Sequence, residues 1–302
     1  MIILRTQNLT KSYDGKIVVD SINLSIDKGD ILGFIGQNGA GKTTFMRMIT
    51  SLVSADKGQI ELFETSNSTD ISKARKRMSA VIENPAFFAN LSSRQNLEYY
   101  RIKLGIADKS RVDEVLNIVG LGDSGNKKFK NYSLGMKQRL GLGASILNRP
   151  DFIVLDEPIN GLDPTGITEI RELIIKLNRE GVTFLISSHI LSELSQIANK
   201  YALIHKGKLL RFITDEKLQE ECMKATAIIV DNAIKAAHIL ETVLGIYNYK
   251  QISNVELRIY EQMTDPSELT FQLNNGGVRL SSIHEVGDTL EEYYAKVIGD
   301  SL

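Results

Sequence analysis

Hydrophobic and polar residues follow three patterns over the first 215 residues. Short, continuously apolar runs are typical of strands buried on both faces of a parallel sheet. These runs are Ile31–Ile35, Phe152–Leu155, Thr183–Ile186 and Tyr201–Ile204. Alternation at 17–19 and 22–26 predicts strands with one polar face. Apolar residues at helical spacing predict helices at 70–79, 94–104, 111–119, 134–147 and 166–179. We therefore predict an α/β fold with a parallel core sheet, a β-rich edge subdomain and a helical subdomain inserted at about 86–150.

The pattern changes near 215–220. Residues 225–283 predict elements in the order β-α-β-β-α-β, which is typical of a small ferredoxin-like domain. An apolar stripe beginning at Leu290 marks a terminal helix, and packing on its own domain is a better interpretation than binding a partner. We predict two domains, 1–215 and a small α+β accessory domain at 220–302.

Composition narrows the class of protein. The chain has 302 residues and a net charge of −1, so no overall basic field favours a nucleic-acid partner. The single cysteine, Cys222, excludes an internal disulfide and suits a reducing cytoplasm. No apolar run approaches the ~18–20 residues that cross a bilayer, and the apolar start ends at Arg5 without a signal-peptide pattern. A membrane, if involved, is expected to be supplied by another chain.

A phosphate loop follows the first apolar run and precedes a helical pattern. It consists of Gly36, Gln37, Asn38, Gly39, Ala40, Gly41, Lys42, Thr43 and Thr44. Its glycines allow backbone N–H groups to curl around a polyphosphate, and the helix N-terminus adds partial positive charge. Lys42 can neutralise the β- and γ-phosphates, and the Thr43 hydroxyl can bind Mg²⁺. The context of strand, loop and helix makes a nucleoside triphosphate site a better interpretation than a glycine turn that binds nothing.

Two carboxylates follow the apolar strand that begins at Phe152. Asp156 is suited to hold Mg²⁺ through water, and Glu157 to polarise the water that attacks the γ-phosphate. An isolated Asp-Glu pair is commonly just an exposed strand end. Together with the phosphate loop, it predicts ATP hydrolysis.

With these motifs in this order, the chain resembles the nucleotide-binding ATPase subunit of ABC transporters over about residues 3–215. The matching positions are Tyr13 for the adenine-stacking aromatic, Glu83 in the Q-loop, Tyr132–Arg139 for the signature segment, Asn160–Asp163 for the D-loop and His189 for the switch histidine. The resemblance implies ATP and Mg²⁺ as cofactors, a homodimer on ATP, a membrane permease partner and a place on the inner face of the cell membrane.

The resemblance also implies roles for single residues. Ser133 and Gly135 would complete the ATP site of a second copy, His189 would contact the γ-phosphate, and Asp163 would link the two sites. Taken alone, each residue also has an ordinary interpretation: Tyr13 as packing, Ser133 as a helix cap, His189 as a bonded polar residue and Asp163 as a turn.

The chain departs from the family pattern in the Q-loop and in the signature segment. Glu83 stands where glutamine is usual. Its carboxylate is expected to bind Mg²⁺ or water more tightly than an amide would, and its negative charge is expected to repel the γ-phosphate. Asn84-Pro85 is expected to stiffen the Q-loop after Glu83. Leu134 and Met136 replace a glycine and a glutamine of the signature segment. With the C-terminal extension, these features resemble the bacitracin- and lantibiotic-resistance branch, whose members energise permeases that expel peptide antibiotics.

Two other function classes compete with transport. A soluble ABC ATPase acting on ribosomes or DNA would carry a second cassette, a coiled-coil insertion or a basic tract, whereas this chain has one phosphate loop and a short helical insert. An inactive scaffold is disfavoured because Lys42, Asp156, Glu157 and His189 are all present. The accessory domain suits three roles: dimer support, permease docking or regulation.

Overall fold

The computed structural model describes residues 1–83, 86–222, 225–260, 266–287 and 289–299, and for Ser68 the backbone alone. Asn84 and Pro85, which the sequence predicts to stiffen the Q-loop, lie outside these residues. The chain forms two compact units. The first contains residues 1–215 and the last turn of the final helix from Val297, and the second contains 216–296.

Three antiparallel strands form the predicted β-rich edge of the first unit. They are β1 (Ile2–Tyr13), β2 (Lys16–Asp27) and β4 (Lys57–Leu62), in the order β2-β1-β4. Buried residues on β1 and β2, among them Ile3, Leu9 and Ile26, pack in one core with Phe45 and Met48 of the helix after the phosphate loop. The edge sheet and the phosphate-loop helix therefore share one apolar core.

The central sheet has six strands. They are β3 (Ile31–Ile35), β5 (Met78–Val81), β6 (Phe152–Asp156), β7 (Thr183–Ser188), β8 (Lys200–His205) and β9 (Lys208–Thr214), in the order β5-β6-β7-β3-β8-β9. The first five are parallel, and β9 pairs with β8 as an antiparallel edge strand. Strand β9 is absent from the sequence-based prediction because its buried and exposed positions do not alternate cleanly.

Seven helices of the described residues belong to the first unit, and an eighth begins at its boundary with the second. They are α1 (Lys42–Ile49), α2 (Ser68–Ala74), α3 (Ser93–Lys103), α4 (Arg111–Ile118), α5 (Leu134–Ile146), α6 (Pro164–Arg179), α7 (Leu191–Leu194) and α8 (Asp215–Glu221). The predicted helix at 70–79 is wrong in its second half, because a 3₁₀ turn at Arg75–Arg77 leads directly into β5. Buried Met78 belongs to the sheet core rather than to a helix face.

The second unit contains an antiparallel sheet of four strands. Its strands are β10 (Ala225–Val230), β11 (Tyr249–Gln251), β12 (Glu256–Ile259) and β13 (Leu280–Val286), in the order β11-β12-β10-β13. Helices α9 (Ala233–Thr242) and α10 (Pro266–Asn275) pack on it in an apolar core that includes Ile228, Leu240 and Leu273. The last helix is α11 (Leu290–Gly299). Among the described residues, none of the helices is both long enough and apolar enough to cross a membrane.

Candidate functional site

The phosphate loop lies between the end of β3 and the start of α1, and a second loop supports it from behind. The N–H of Gly207, in the turn between β8 and β9, donates to the Ala40 carbonyl at 3.0 Å, and its own carbonyl accepts from Asp20 N at 2.8 Å. Gly41 has a φ of +106°, and a Cβ there would lie 2.6 Å from the Val18 carbonyl oxygen. Glycine is therefore required at this position by both conformation and space.

Lys42 points back into the loop. It is only 6% exposed, and its Nζ donates to the Gly36 carbonyl at 2.6 Å. The same atom lies 3.2 Å from Oε1 of Glu157, which follows β6. A buried ammonium needs such partners, because an uncompensated charge in this environment is costly. The contact places the predicted phosphate-binding cation and the predicted general base side by side.

At the carboxyl end of β6, Asp156 meets Thr43, so two of the residues predicted to bind Mg²⁺ lie together. The Thr43 hydroxyl donates to Oδ2 of Asp156 at 2.8 Å, so the two predicted metal ligands share a hydrogen bond. Oδ1 of Asp156 accepts from the Ser187 hydroxyl at 2.5 Å. The backbone N–H of Glu157 donates to the same Ser187 oxygen at 2.9 Å. We call the group formed by Lys42, Thr43, Asp156, Glu157, Ser187 and His189 the catalytic edge.

His189 completes the catalytic edge. Its Nδ1 lies 2.7 Å from Oε2 of Glu157, and its backbone N–H donates to the same oxygen at 3.3 Å. An ionised carboxylate only accepts hydrogen bonds, so the N–H at Nδ1 of His189 is the donor to Glu157. The other ring nitrogen, Nε2, takes no part in this contact. Glu157 has a left-handed backbone with a φ of 50°, so its side chain leaves the strand in a different direction from that of Asp156.

The predicted signature and D-loop residues meet at another surface of the same unit. A cleft of about 410 Å³ lies between the starts of α5 and α6 and is lined by Ser133, Gly135 and Asp163 among others. The Ser133 hydroxyl accepts from Met136 N at 3.3 Å, and Asp163 accepts from Gly166 N at 3.0 Å, so both side chains cap helices. Leu134 is 42% exposed. Its Cδ2 atom lies so near Gly161 that a Cβ added to that glycine would be only 3.2 Å away. This leucine therefore packs on the D-loop.

Two further predicted residues lie outside these clusters. Tyr13 at the end of β1 is 43% exposed, and Lys11 Nζ lies 5.5 Å from the centre of its ring. Glu83 follows β5 with a φ of 60°, and its Oε1 accepts from the Arg47 guanidinium of α1 at 2.5 Å. The contact that the structure gives Glu83 is thus with a cation rather than with Thr43 or Asp156.

Similar proteins of known family identify the family of this chain. The family model described as "ABC transporter" matches residues 19–160. The chain is 39% identical over 298 residues to the bacitracin transport ATP-binding protein BcrA of Enterococcus faecalis, covering 98% of this chain and 96% of that protein. The chain belongs to the ABC transporter family of ATP-binding proteins. Within that family, it is 42% identical over 208 residues to the lantibiotic transport ATP-binding protein SrtF of Streptococcus pyogenes, covering 69% of this chain and 89% of that protein.

Solved structures of ABC proteins share the fold. CbiO1 from Clostridium perfringens, part of the ABC transporter complex cbiONQ, aligns with a TM-score of 0.66 and 22% identity over 81% of this chain and 97% of that chain. The ATP-binding cassette MJ0796, solved as a dimer in a post-hydrolysis state with ADP and Pi, aligns with a TM-score of 0.64 and 22% identity over 70% of this chain and 98% of that chain. The predicted P-loop fold, the predicted ABC ATPase membership and the predicted similarity to the bacitracin and lantibiotic branch are therefore confirmed. A soluble ATPase acting on ribosomes or nucleic acid is not favoured.

Two residues of the site were not predicted from sequence. Ser187 lies just beyond the apolar run that ends at Ile186, and Arg47 lies in the helix after the phosphate loop. Ser187 could have been found from the parallel pairing, because the carboxyl ends of adjacent strands share one edge of the sheet. For Arg47, no local pattern distinguishes a residue that pairs with Glu83 from any other exposed arginine.

The side chains of the catalytic edge suit a magnesium–nucleotide complex. No group of three or more His, Cys, Asp or Glu side chains arranged for a metal occurs in the described part of the chain. Mg²⁺ in nucleotide sites commonly uses one or two carboxylates together with substrate phosphates and waters, so it does not need such a group. Thr43 and Asp156, already in contact, offer the hydroxyl and the carboxylate of this type of site.

Proposed function

We propose that this ABC ATPase hydrolyses ATP with Mg²⁺ to drive a separate membrane permease that exports a peptide antibiotic. The single observation that carries the chemistry is the catalytic edge, in which Lys42, Glu157 and His189 form a continuous chain of contacts. The similarity to bacitracin and lantibiotic transport proteins over most of the chain supports the substrate class. The place of action is the inner face of the membrane that holds the permease.

The residues of the catalytic edge have distinct tasks. Thr43 and Asp156 would hold Mg²⁺, which supplies charge compensation for the β- and γ-phosphates when bound. Lys42 exchanges Gly36 and Glu157 for phosphate oxygens, and Glu157 is then released to orient and polarise the attacking water. His189 donates from Nδ1 to Glu157 and so fixes the direction of that carboxylate.

The other half of the site comes from a second copy. Ser133 and Gly135 lie at the N-terminus of α5, where backbone N–H groups and the helix dipole favour an anion. We propose that ATP is enclosed between the catalytic edge of one copy and this segment of the other, with Tyr13 stacking on adenine and Asp163 close to the dimer contact. A magnesium role for Glu83 requires its carboxylate to leave Arg47.

The experiment that tests the transport role uses the complex. The chain is co-expressed with a multi-span membrane protein encoded by a neighbouring gene, as the candidate permease. The complex is purified into lipid nanodiscs, and ATP hydrolysis is measured with bacitracin, a lantibiotic and an unrelated peptide. We expect stimulation by one antibiotic class and none by the unrelated peptide, with the Glu157→Gln complex as the inactive control. A complex that forms and hydrolyses ATP equally with every peptide would contradict antibiotic export. Failure to bind any permease would contradict the transporter role.

A further inference from the structure

A single buried hydroxyl links the carboxylate of Asp156 to the backbone N–H of Glu157. Ser187 is the penultimate residue of β7, has no exposed surface, and lies directly opposite Asp156 in the parallel pairing of β6 and β7. Its Oγ is 2.5 Å from Oδ1 of Asp156 and 2.9 Å from the backbone nitrogen of Glu157. Although it lies in the catalytic edge, the proposed function gives this residue no task.

The chemistry of the partners sets the direction of both hydrogen bonds. The carboxylate of Asp156 can only accept, so the Ser187 hydroxyl donates to it, and the N–H of Glu157 can only donate, so the same oxygen accepts from it. Asp156 is held from its other side by Thr43, at 2.8 Å. Rotation of this carboxylate is therefore blocked on both oxygens.

The second bond acts on the backbone of Glu157. A left-handed φ of 50° is unfavourable for a residue that has a Cβ, and it persists only where neighbouring groups hold it. Here the Glu157 N–H faces both the hydroxyl and, at 3.2 Å, the carbonyl of Ser187. The turn that directs Glu157 away from Asp156 is thus anchored on one residue of the next strand.

We propose that Ser187 is a positioning residue that orients Asp156 for magnesium and Glu157 for the attacking water through one hydroxyl. This inference rests on the proposed roles of those two carboxylates. It requires a group that donates and accepts at the same time, which serine and threonine provide and alanine does not.

The test compares variants at both ends of β7 in the full chain. Ser187→Ala removes the bridging hydroxyl, and Ser187→Thr retains it. Thr183→Val is the matched control, because Thr183 is also fully buried but bonds Gly29 N at the opposite end of the strand, at 2.9 Å. Binding of a fluorescent ATP analogue is titrated with Mg²⁺ and repeated in EDTA, and turnover and melting temperature are recorded for each variant.

For Ser187→Ala we expect the half-saturating Mg²⁺ concentration to rise about 10-fold or more, since removing a partner of a metal-binding carboxylate commonly weakens metal affinity by about 10–100-fold. Binding in EDTA stays at the wild-type level, and Ser187→Thr restores the wild-type Mg²⁺ dependence. Thr183→Val lowers only the melting temperature. If Ser187→Ala does not fold, Ser187→Cys, which keeps the volume but is a weak donor, is expected to shift the Mg²⁺ dependence in the same direction.

An unchanged Mg²⁺ dependence in folded Ser187→Ala or Ser187→Cys overturns the proposal, even if turnover falls. A shift of equal size in Thr183→Val also overturns it, because the effect would then be general to β7. The titration needs no permease or peptide. Failure of antibiotic-stimulated hydrolysis in the complex would therefore contradict the transport role and leave this result standing.

Discussion

The catalytic edge and the signature cleft lie in the same compact unit but differ in how complete they are. At the catalytic edge, Lys42 and Asp156 are buried, and each contacts its partners within about 3.2 Å. At the signature cleft, Ser133 and Leu134 are exposed, and the Ser133 hydroxyl accepts a 3.3 Å hydrogen bond from its own helix. One surface is organised by its own chain, whereas the other presents a helix N-terminus to whatever approaches it.

The two surfaces also differ in how far their groups depend on one another. At the catalytic edge several groups share hydrogen-bond partners, so a substitution that removes one polar group leaves another without its bond. At the exposed cleft, a leucine replaces the usual glycine and packs on Gly161 without disturbing the helix cap at Ser133. The departures from the family pattern lie outside the buried part of the catalytic edge: Leu134 and Glu83 are exposed, and Met136 is partly exposed.

The largest expected effect is at the catalytic edge. Glu157→Gln keeps the size of the side chain but removes its basicity, so we expect ATP turnover to fall by about 10²–10⁴-fold. Because nucleotide binding is retained, the variant should accumulate as an ATP-bound dimer, visible by size-exclusion chromatography. Glu180→Gln, at the exposed end of α6, serves as the control with wild-type turnover. Full hydrolysis by Glu157→Gln would show that another group is the base.

A mixing experiment tests whether the catalytic edge of one copy and the signature cleft of another form one shared site. Lys42→Ala damages the catalytic edge and Gly135→Asp damages the signature cleft, so each variant alone is expected to be inactive. In a head-to-tail heterodimer, one site combines both lesions and the other is intact. An equimolar mixture should therefore recover about a quarter of wild-type turnover if pairing is random and the sites act independently. If the mixture stays inactive although heterodimers are detected by crosslinking, the two surfaces do not form shared sites.

Glu83 differs from both surfaces, because it is exposed yet bound within its own chain. Arg47 is 36% exposed and Glu83 61%, so their ion pair is worth about 0–1 kcal/mol and can be exchanged readily. We expect Glu83→Gln to bind ATP normally and to change permease-stimulated turnover by a few-fold, and Arg47→Ala to do the same.

Arg5→Ala, which breaks a half-buried ion pair with Glu61 on the β-rich edge, is the control for the Arg47–Glu83 pair. It should leave stimulation unchanged. Unchanged stimulation and unchanged resistance in Glu83→Gln would remove any special role for the glutamate.

The smallest effect is expected near Tyr13. The Asp56 carboxylate accepts from Lys11 Nζ at 2.6 Å and from Ser12 N at 2.7 Å, and so holds the end of the strand that carries Tyr13. The hydrogen bond from Lys11, followed by that from Ser12, keeps the pKa of Asp56 below its ordinary value. A lowered pKa means that this stabilisation is fully present above the ordinary carboxyl range and is lost as pH falls through the lower folded value.

Asp56→Asn should weaken ATP binding slightly at neutral pH without affecting the binding of inorganic triphosphate, measured by calorimetry. The ATP affinity of the wild-type protein should fall at low pH in part because Asp56 becomes protonated. The asparagine variant should lack this part of the decrease and show only the part due to other titrating groups. Equal weakening for ATP and triphosphate would place the effect at the phosphate loop instead.

Much of the first unit could be predicted because its strands are buried on both faces and therefore appear as uninterrupted apolar runs. Strands β3, β6, β7 and β8 were found in this way, and the polar residues at their ends gave Lys42, Asp156, Glu157 and His189. Strand β9 was missed because it lies at the sheet edge, where the pattern of burial is weak. The predicted helix at 70–79 failed because a charged helical pattern continued into a strand whose first residue is buried.

The contacts between distant segments could not be predicted in this way. Ser187 and Asp156 are 31 residues apart, and Arg47 and Glu83 are 36 apart, so nothing local in the sequence connects them. Their pairing depends on strand order, which apolar runs do not encode. The local sequence therefore indicates which residues supply charged and hydroxyl groups, but not which of them bond one another.

The hydrogen bonds of Gly207 bear on how the protein is made. During synthesis, every residue of the phosphate loop has been added once the chain reaches residue 44, and both carboxylates once it reaches residue 157. The turn that supports the loop from behind arrives only with Gly207, and it joins Asp20 and Ala40 by one bond each. Domains generally fold as units during synthesis. A nascent chain of about 160 residues would thus contain the motifs without a supported loop, and nucleotide binding would begin only near the completion of the first unit.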